Sequence, residues 1–179
     1  MRIILISGKA QHGKDTVAQL IKEELGKGHN RVLITHYADL LKYICKMFFK
    51  GEGKKEGPGG AILQRVGTDV IRKDNPDFWV DFISIILRYC KEEWDYVIIP
   101  DCRFPNEIKN IKSAGYEAVH LRVVRNNFKS TLTEEQQKHP SETALDTIKP
   151  DFYIFNDSDM LNLKYNVETF VKCYTGGIE

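Results

Sequence analysis

The sequence predicts an α/β fold: a parallel sheet with helices on both faces. Three observations predict it. Short runs such as "RIILIS" and "DYVIIPD" are apolar at consecutive rather than alternate positions, the mark of strands buried on both faces. Segments with apolar residues at helical spacing stand between those runs. The first run ends in a glycine-bearing loop that opens directly into the first helix.

The elements follow in order. "RIILIS" (2–7) is a strand that stops at Gly8. Val17, Leu20, Ile21 and Leu25 recur at helical spacing, and "GKG" (26–28) ends that helix. "RVLITH" (31–36) is a second strand and "ADLLKYICKMFF" (38–49) a helix. "GEGKKEGPGG" (51–60) carries five glycines and a proline and is predicted as a mobile loop. "AILQRVGTDVIRK" (61–73) reads as helical, and Asn75-Pro76 breaks the chain before the apolar helix "DFWVDFISIILRYCKEEW" (77–94). "DYVIIPD" (95–101) is the third strand. "RFPNEIKNIKSAG" (103–115) is a loop and a helix that ends at Gly115. "YEAVHLRVV" (116–124) is the fourth strand, residues 125–150 are polar and irregular, "PDFYIFN" (150–156) is the fifth strand, and "MLNLKYNVETFVKCY" (160–174) a closing helix. No internal repeat is visible.

The bulk properties narrow the function. The 179 residues favour one domain over 1–179, and 42% apolar with 28% charged residues is ordinary for a globular protein. A net charge of +1 argues against a general nucleic-acid or membrane surface, while leaving room for a basic pocket. Cys45, Cys90, Cys102 and Cys173 form no C-x-x-C pair, so reduced thiols and a cytoplasmic location are expected. The apolar run Ile3–Ile6 is too short for a signal peptide or a membrane span, and no later stretch is long enough.

The chemistry is concentrated in "ISGKAQHGKDTVA" (6–18). Gly8, Gly13 and Lys14 have the G-x-x-x-x-G-K spacing of a phosphate-binding loop. Its setting, after a buried strand and before a helix, is the one such a loop needs. Glycines let the backbone curl its amides towards an anion, the helix N-terminus adds its dipole, and Lys14 would neutralise β- and γ-phosphates. Residues 8–16, Gly8, Lys9, Ala10, Gln11, His12, Gly13, Lys14, Asp15 and Thr16, are therefore the expected nucleotide contacts. Asp101 closes an apolar strand, as does the acid near Mg²⁺ in such proteins, and Arg103 completes D-x-R. Arg65, Arg72, Arg103, Arg122 and Arg125 are more arginines than simple ATP hydrolysis requires. They suit an acceptor that is itself a phosphate, because cations must bridge two anions brought together. Residues 125–146 could close as a lid and exclude water.

Taken together, "GKAQHGKDTVA", "YADLLK", "LQRVGTDVIRKDNPDFWVDF", "IPDCRFPNE", "HPSETALD" and "IFNDSDMLNL" resemble the deoxynucleoside monophosphate kinases of the P-loop kinase superfamily. The resemblance spans nearly the whole chain. It implies a three-layer α/β/α sandwich with a five-stranded parallel sheet in the order 2-3-1-4-5. It also implies an acceptor-binding region at about 37–94 and a lid at about 125–146. The implied reaction moves the γ-phosphoryl of ATP, with Mg²⁺, to a deoxynucleoside 5′-monophosphate. No membrane or nucleic-acid polymer is an expected partner, and a homodimer is compatible. If the chain is phage-encoded, its location is the host cytoplasm.

Asp in place of the usual Ser or Thr after the P-loop lysine then looks like a feature of this branch. A carboxylate ligates Mg²⁺ well, so Asp15 and Asp101 are the expected metal ligands, with Thr16 on the α-phosphate. Lys14, Asp101, Arg103 and Arg125 are the expected catalytic residues, with Arg122 and Asn156 as further nucleotide contacts. Arg65, Arg72 and Arg103 would surround the acceptor phosphate. Asp39, Lys42, Asp69, Trp79, His139, Ser141 and Glu142 complete the expected acceptor site. Asp39 reads equally well as a helix cap, and the stripe Phe78, Phe82, Ile83, Ile86, Leu87 reads as core. Two other readings stay open. One is a kinase for another phosphorylated small molecule, of the phosphomevalonate or dephospho-coenzyme A kind. The other is a non-catalytic nucleotide-binding module, although the N-K-x-D motif of a GTPase is missing.

Overall fold

The structure, a computed structural model, describes residues 1–48, 63, 65–126 and 128–176. Five strands, β1 (Arg2–Ser7), β2 (Val32–Ile34), β3 (Tyr96–Ile99), β4 (Glu117–Val124) and β5 (Phe152–Phe155), form one sheet in the order β2-β3-β1-β4-β5. Every pairing is parallel, with Ile3 opposite Val97 and Ala118. The expected strand order is the observed one.

Continuous apolar runs are explained by the two cores. Ile3 and Leu5 of β1 join Val97 and Ile99 on one face, while Ile4, Ile6 and Ile98 belong to the other. The first face is covered by α2 (Ala38–Phe48), α3 (Phe78–Tyr89) and α4 (Pro105–Ser113), through Leu41, Trp79, Ile83, Leu87, Ile108 and Ile111. The second is covered by α1 (Lys14–Gly26) and α7 (Met160–Thr175), through Val17, Ile21, Leu25, Leu163, Val167 and Phe170. These are the three layers that the sequence predicts.

Three details differ from expectation. Residues 65–72 are π-helical rather than α-helical. Here Gly67 lies so close to Leu41 that a Cβ would run into its Cδ2, and the Trp79 indole donates to the Gly67 carbonyl at 3.1 Å. Periodicity cannot register such a local widening, which tertiary contacts support. The segment after β4 contains two short helices, α5 (Glu134–Lys138) and α6 (Pro140–Thr143). Thr133 caps α5 by accepting from Gln136 N, and Pro140 occupies the first turn of α6. Helix α3 stops at Tyr89, short of the expected Trp94. The loop expected over 51–60 lies outside the described residues. The four cysteines are free thiols, and among the described residues no helix is long and apolar enough to cross a membrane.

Candidate active site

Parallel strands deliver their following loops to one edge of the sheet, which is where a ligand site is expected. The loop from β1 into α1 has φ +143° at Gly8, +63° at Gln11 and +92° at Gly13. A side chain at Gly8 would strike the carbonyl oxygen of Val123 on β4, and a Cβ at Gly13 would stand 2.6 Å from Asn156 Nδ2. Both glycines are thus required by backbone conformation and by close approach. Asn156 donates to the His12 carbonyl at 3.0 Å, so it braces the loop from the end of β5. Buried Lys14 opens α1 and donates to the carbonyls of Gly8 and Lys9, each at 2.8 Å.

Asp15 follows in the first helical turn, two-thirds exposed, with one carboxylate oxygen 3.1 Å from His36 Nε2. The other ring nitrogen lies 3.2 Å from Asp39. Bonds to Asp15 and then Asp39 push the His36 imidazole up to about 9. Burial of Asp39 opposes its ionisation, but His36 and Lys42 outweigh it and keep the carboxyl well below its usual range. Asp39 also accepts from His36 N at 3.0 Å and from Lys42 Nζ at 2.9 Å. It therefore fastens the start of α2, and Lys42 is spent on it.

Beside the loop, a cavity of about 110 Å³ is walled by Tyr37, Leu41, Thr68, Arg72, Arg103 and Phe104, among others. A second, of about 210 Å³, lies behind the loop and is lined by Gly8, Lys9, His12, Arg122 and Glu142, among others. Arg103 and Ser141 line both, so they form the partition. The segment 139–146 closes over the loop. Glu142 accepts from Ala10 N at 2.8 Å and pairs with Arg103, while Lys9 Nζ donates to the Glu142 carbonyl at 2.6 Å and to Asp146 at 2.5 Å.

The sequence model of the deoxynucleotide monophosphate kinases matches residues 61–167. That range holds the arginines, the D-x-R turn and the closing segment just described. The chain belongs to the deoxynucleotide monophosphate kinase family. The deoxynucleotide monophosphate kinase of Escherichia phage RB69 is 26% identical over 113 residues, which is 62% of this chain and 43% of the phage protein. An uncharacterized protein of Ictalurid herpesvirus 1 (strain Auburn), ORF77, is 34% identical over 169 residues, covering 94% of this chain and 69% of that protein. Among solved structures, an APS kinase CysC of Mycobacterium tuberculosis superposes with a TM-score of 0.53 at 12% identity, over 97% of this chain and 96% of that one. A shikimate kinase from Bacteroides thetaiotaomicron gives 0.51 at 14%, over 97% and 98%. These two likenesses establish the P-loop kinase fold.

Within this family fold, the expected residues are placed unevenly. Arg72, Arg103, Ser141 and Glu142 line one or both of the two cavities, while Lys14 is turned onto the loop carbonyls of Gly8 and Lys9. Arg122 lines the second cavity, but its guanidinium donates to the carbonyls of Leu145 (2.5 Å) and Ile148 (2.8 Å), tying the closing segment to β4. Arg125 is exposed, with its guanidinium over the Phe128 ring at 4.8 Å. Other expected residues have surroundings that the sequence did not indicate. Arg65 is exposed and lines neither cavity. Trp79 is 2% exposed and hydrogen-bonded to Gly67, so it is a packed floor and not an open platform for a base. His139 spends Nδ1 on the amide of Ser141 and caps α6, while Nε2 stands 3.8 Å from Asp69, and neither residue lines a cavity. Asp101 accepts from the amides of Tyr37 (2.9 Å) and Ala38 (3.0 Å), which makes it a brace between β3 and α2.

Sequence reasoning missed Glu107 and His120. Glu107 is 1% exposed, pairs with Arg72, and accepts from Arg103 N at 2.6 Å and Phe104 N at 3.0 Å. Burial pushes its carboxyl up to about 7, against the pull of Arg72 and those amides. The sequence did offer a signal: Pro105 and Glu107 in "FPNE" are a helix-start pattern. Buried His120 stands 2.7 Å from Ser7 Oγ, directly under the loop, with Nδ1 lacking a partner among the described residues. A lone histidine in an apolar strand carries no such signal.

Mg²⁺ fits this donor set in one way. Among the described residues no three His, Cys, Asp or Glu side chains converge as a cage. An exposed carboxylate in the first turn of α1 suits an ion that keeps waters and takes the rest of its ligands from phosphates.

Proposed function

We propose that this protein transfers the γ-phosphoryl group of ATP to a deoxynucleoside 5′-monophosphate. The observation that carries the reading is Arg103. It lines both the cavity bordered by the glycine loop and the neighbouring one walled by Thr68 and Arg72, so in this reading one side chain serves both places where phosphates would sit. Donor and acceptor anions repel, and a shared cation is the direct remedy. Family membership and the P-loop kinase fold support the same conclusion.

In this reading the loop amides and Lys14 take the donor phosphates. Lys14 leaves the Gly8 and Lys9 carbonyls to do so. Asp15 would hold Mg²⁺, which supplies charge neutralisation at the donor phosphates. Asp101 orients α2, and any part it plays at the metal runs through water. Thr68 and Arg72 face the acceptor across the cavity from Arg103. Closure of 139–146 excludes water, and Glu142 hands the Arg103 guanidinium to the incoming phosphate. Phosphoryl transfer needs alignment and charge more than covalent help, and this site is equipped for those.

The test is a panel of deoxynucleoside and ribonucleoside monophosphates, phosphomevalonate and dephospho-coenzyme A, each with ATP and Mg²⁺. ADP release with formation of a deoxynucleoside diphosphate is expected. Turnover with another phosphorylated acceptor alone would move the protein to a different kinase class. Turnover at background with every acceptor would leave a nucleotide-binding module.

A further inference from the structure

The acceptor cavity is built around a buried carboxylate that none of the reacting groups requires. Glu107 lies in α4 and lines the cavity wall at 1% exposure. Its two oxygens are divided between two arginines. Oε1 pairs with the Arg72 guanidinium, which arrives from the π-helical segment 35 positions earlier. Oε2 accepts from the backbone amides of Arg103 and Phe104 and so fixes the turn that launches the Arg103 side chain. The main chain of Glu107 is used as well, because the hydroxyl of buried Tyr37 donates to its carbonyl at 3.1 Å.

Arg72 is held on its remaining sides. Its guanidinium lies 4.1 Å above the Phe104 ring, and Nη1 donates to the Pro76 carbonyl at 3.3 Å. A guanidinium has five N–H donors, so several remain for a ligand. The Arg72 guanidinium and the Arg103 backbone are therefore anchored to one carboxylate, the Arg103 guanidinium is held by Glu142, and both arginines line the same cavity. A cation fixed before binding costs less to use than one that must be ordered on arrival.

We propose that Glu107 is a positioning residue that sets Arg72 and Arg103 as a pre-formed pair of cations for the acceptor phosphate. The inference rests on the kinase reading above. It makes the acceptor, not ATP, the substrate that responds to Glu107.

Glu107→Gln separates the two duties. The amide oxygen can still accept from Arg103 N and Phe104 N, but its NH₂ then faces the Arg72 guanidinium, donor against donor. The expected result is a fall in kcat/KM for the acceptor of about 10–10²-fold, the scale of a small misplacement of a catalytic group. KM for ATP should stay within about twofold. Arg72→Met should give the same selective loss, and the double variant should be no worse than either single change, because one coupled pair is being broken. Glu107→Asp, shorter but charged, should recover part of the loss. Equal losses for ATP and acceptor, or additive effects of the two substitutions, would overturn the positioning role. If Glu107→Gln does not fold, Arg72→Met alone carries the test, and an unchanged acceptor KM there would overturn it. Wild-type protein that turns over no acceptor defeats the kinase reading and this inference with it. Normal wild-type turnover with unselective variants defeats this inference only.

Discussion

Asp15 is exposed and held by a histidine at once. It is the first acid after Lys14, in a helical turn whose dipole favours negative charge, and His36 lies 3.1 Å from its carboxylate. A hydrated Mg²⁺ would meet an exposed oxygen there at little cost. Asp15→Asn keeps the shape and removes the charge, so the Mg²⁺ concentration giving half-maximal turnover should rise at least about tenfold with folding unaffected; titration of Mg²⁺ at saturating ATP measures it. Gly8 and Gly13 belong to this scale too. Their positions could be read from the sequence because G-x-x-x-x-G-K carries its own geometry. What each glycine avoids, the Val123 carbonyl and the Asn156 amide, could not be read.

The closing segment, with α5 and α6, is the element that sequence described least well. It carries no apolar periodicity, so it appeared only as a polar stretch between two strands. Its order comes from two caps and from three contacts with the glycine loop: Glu142 on Ala10 N, Lys9 on the Glu142 carbonyl, and Lys9 on Asp146. The Glu142 side chain is 9% exposed and pairs with Arg103, so it is one of the better-buried acids of the site. Glu142→Gln weakens a charge-assisted bond to a backbone amide and leaves Arg103 without its carboxylate. Hydrogen exchange at the Ala10 amide should then speed up by roughly 10-fold or more, the equivalent of about 1.4 kcal/mol or more of local stability. Unchanged protection at Ala10 would mean that the Glu142 carboxylate does not hold the segment on the loop.

Across the whole molecule, the pH dependence of stability should carry a signature of His120. Burial, and then the nearby Arg122, lower its imidazole from 6.5 to about 4. The unfolded chain therefore binds a proton that the folded chain refuses. The stability due to neutral His120 is complete above pH 6.5 and is lost as the pH falls towards 4. His120→Gln should flatten that part of the profile, and melting temperatures of both proteins from pH 4 to 7 would show it. If the two profiles stay parallel, His120 does not govern acid sensitivity. The partner of this histidine, Ser7, is 113 positions away on the adjoining strand, joined to it by the β1–β4 register.

By itself the sequence determined the layers, the parallel strands, the glycine loop and an abundance of arginines in polar loops. Those features are written in local patterns: runs, periods, glycine spacing and motif residues. Tertiary structure alone decided which arginines face a cavity, that Asp101 and Asn156 brace the site, and that Glu107 joins two cations. The reason is distance along the chain. The pairs that join Asp101, Asn156 and Glu107 to other elements lie between 35 and 144 positions apart, and no local pattern encodes the partner of a buried charge until packing brings the two together.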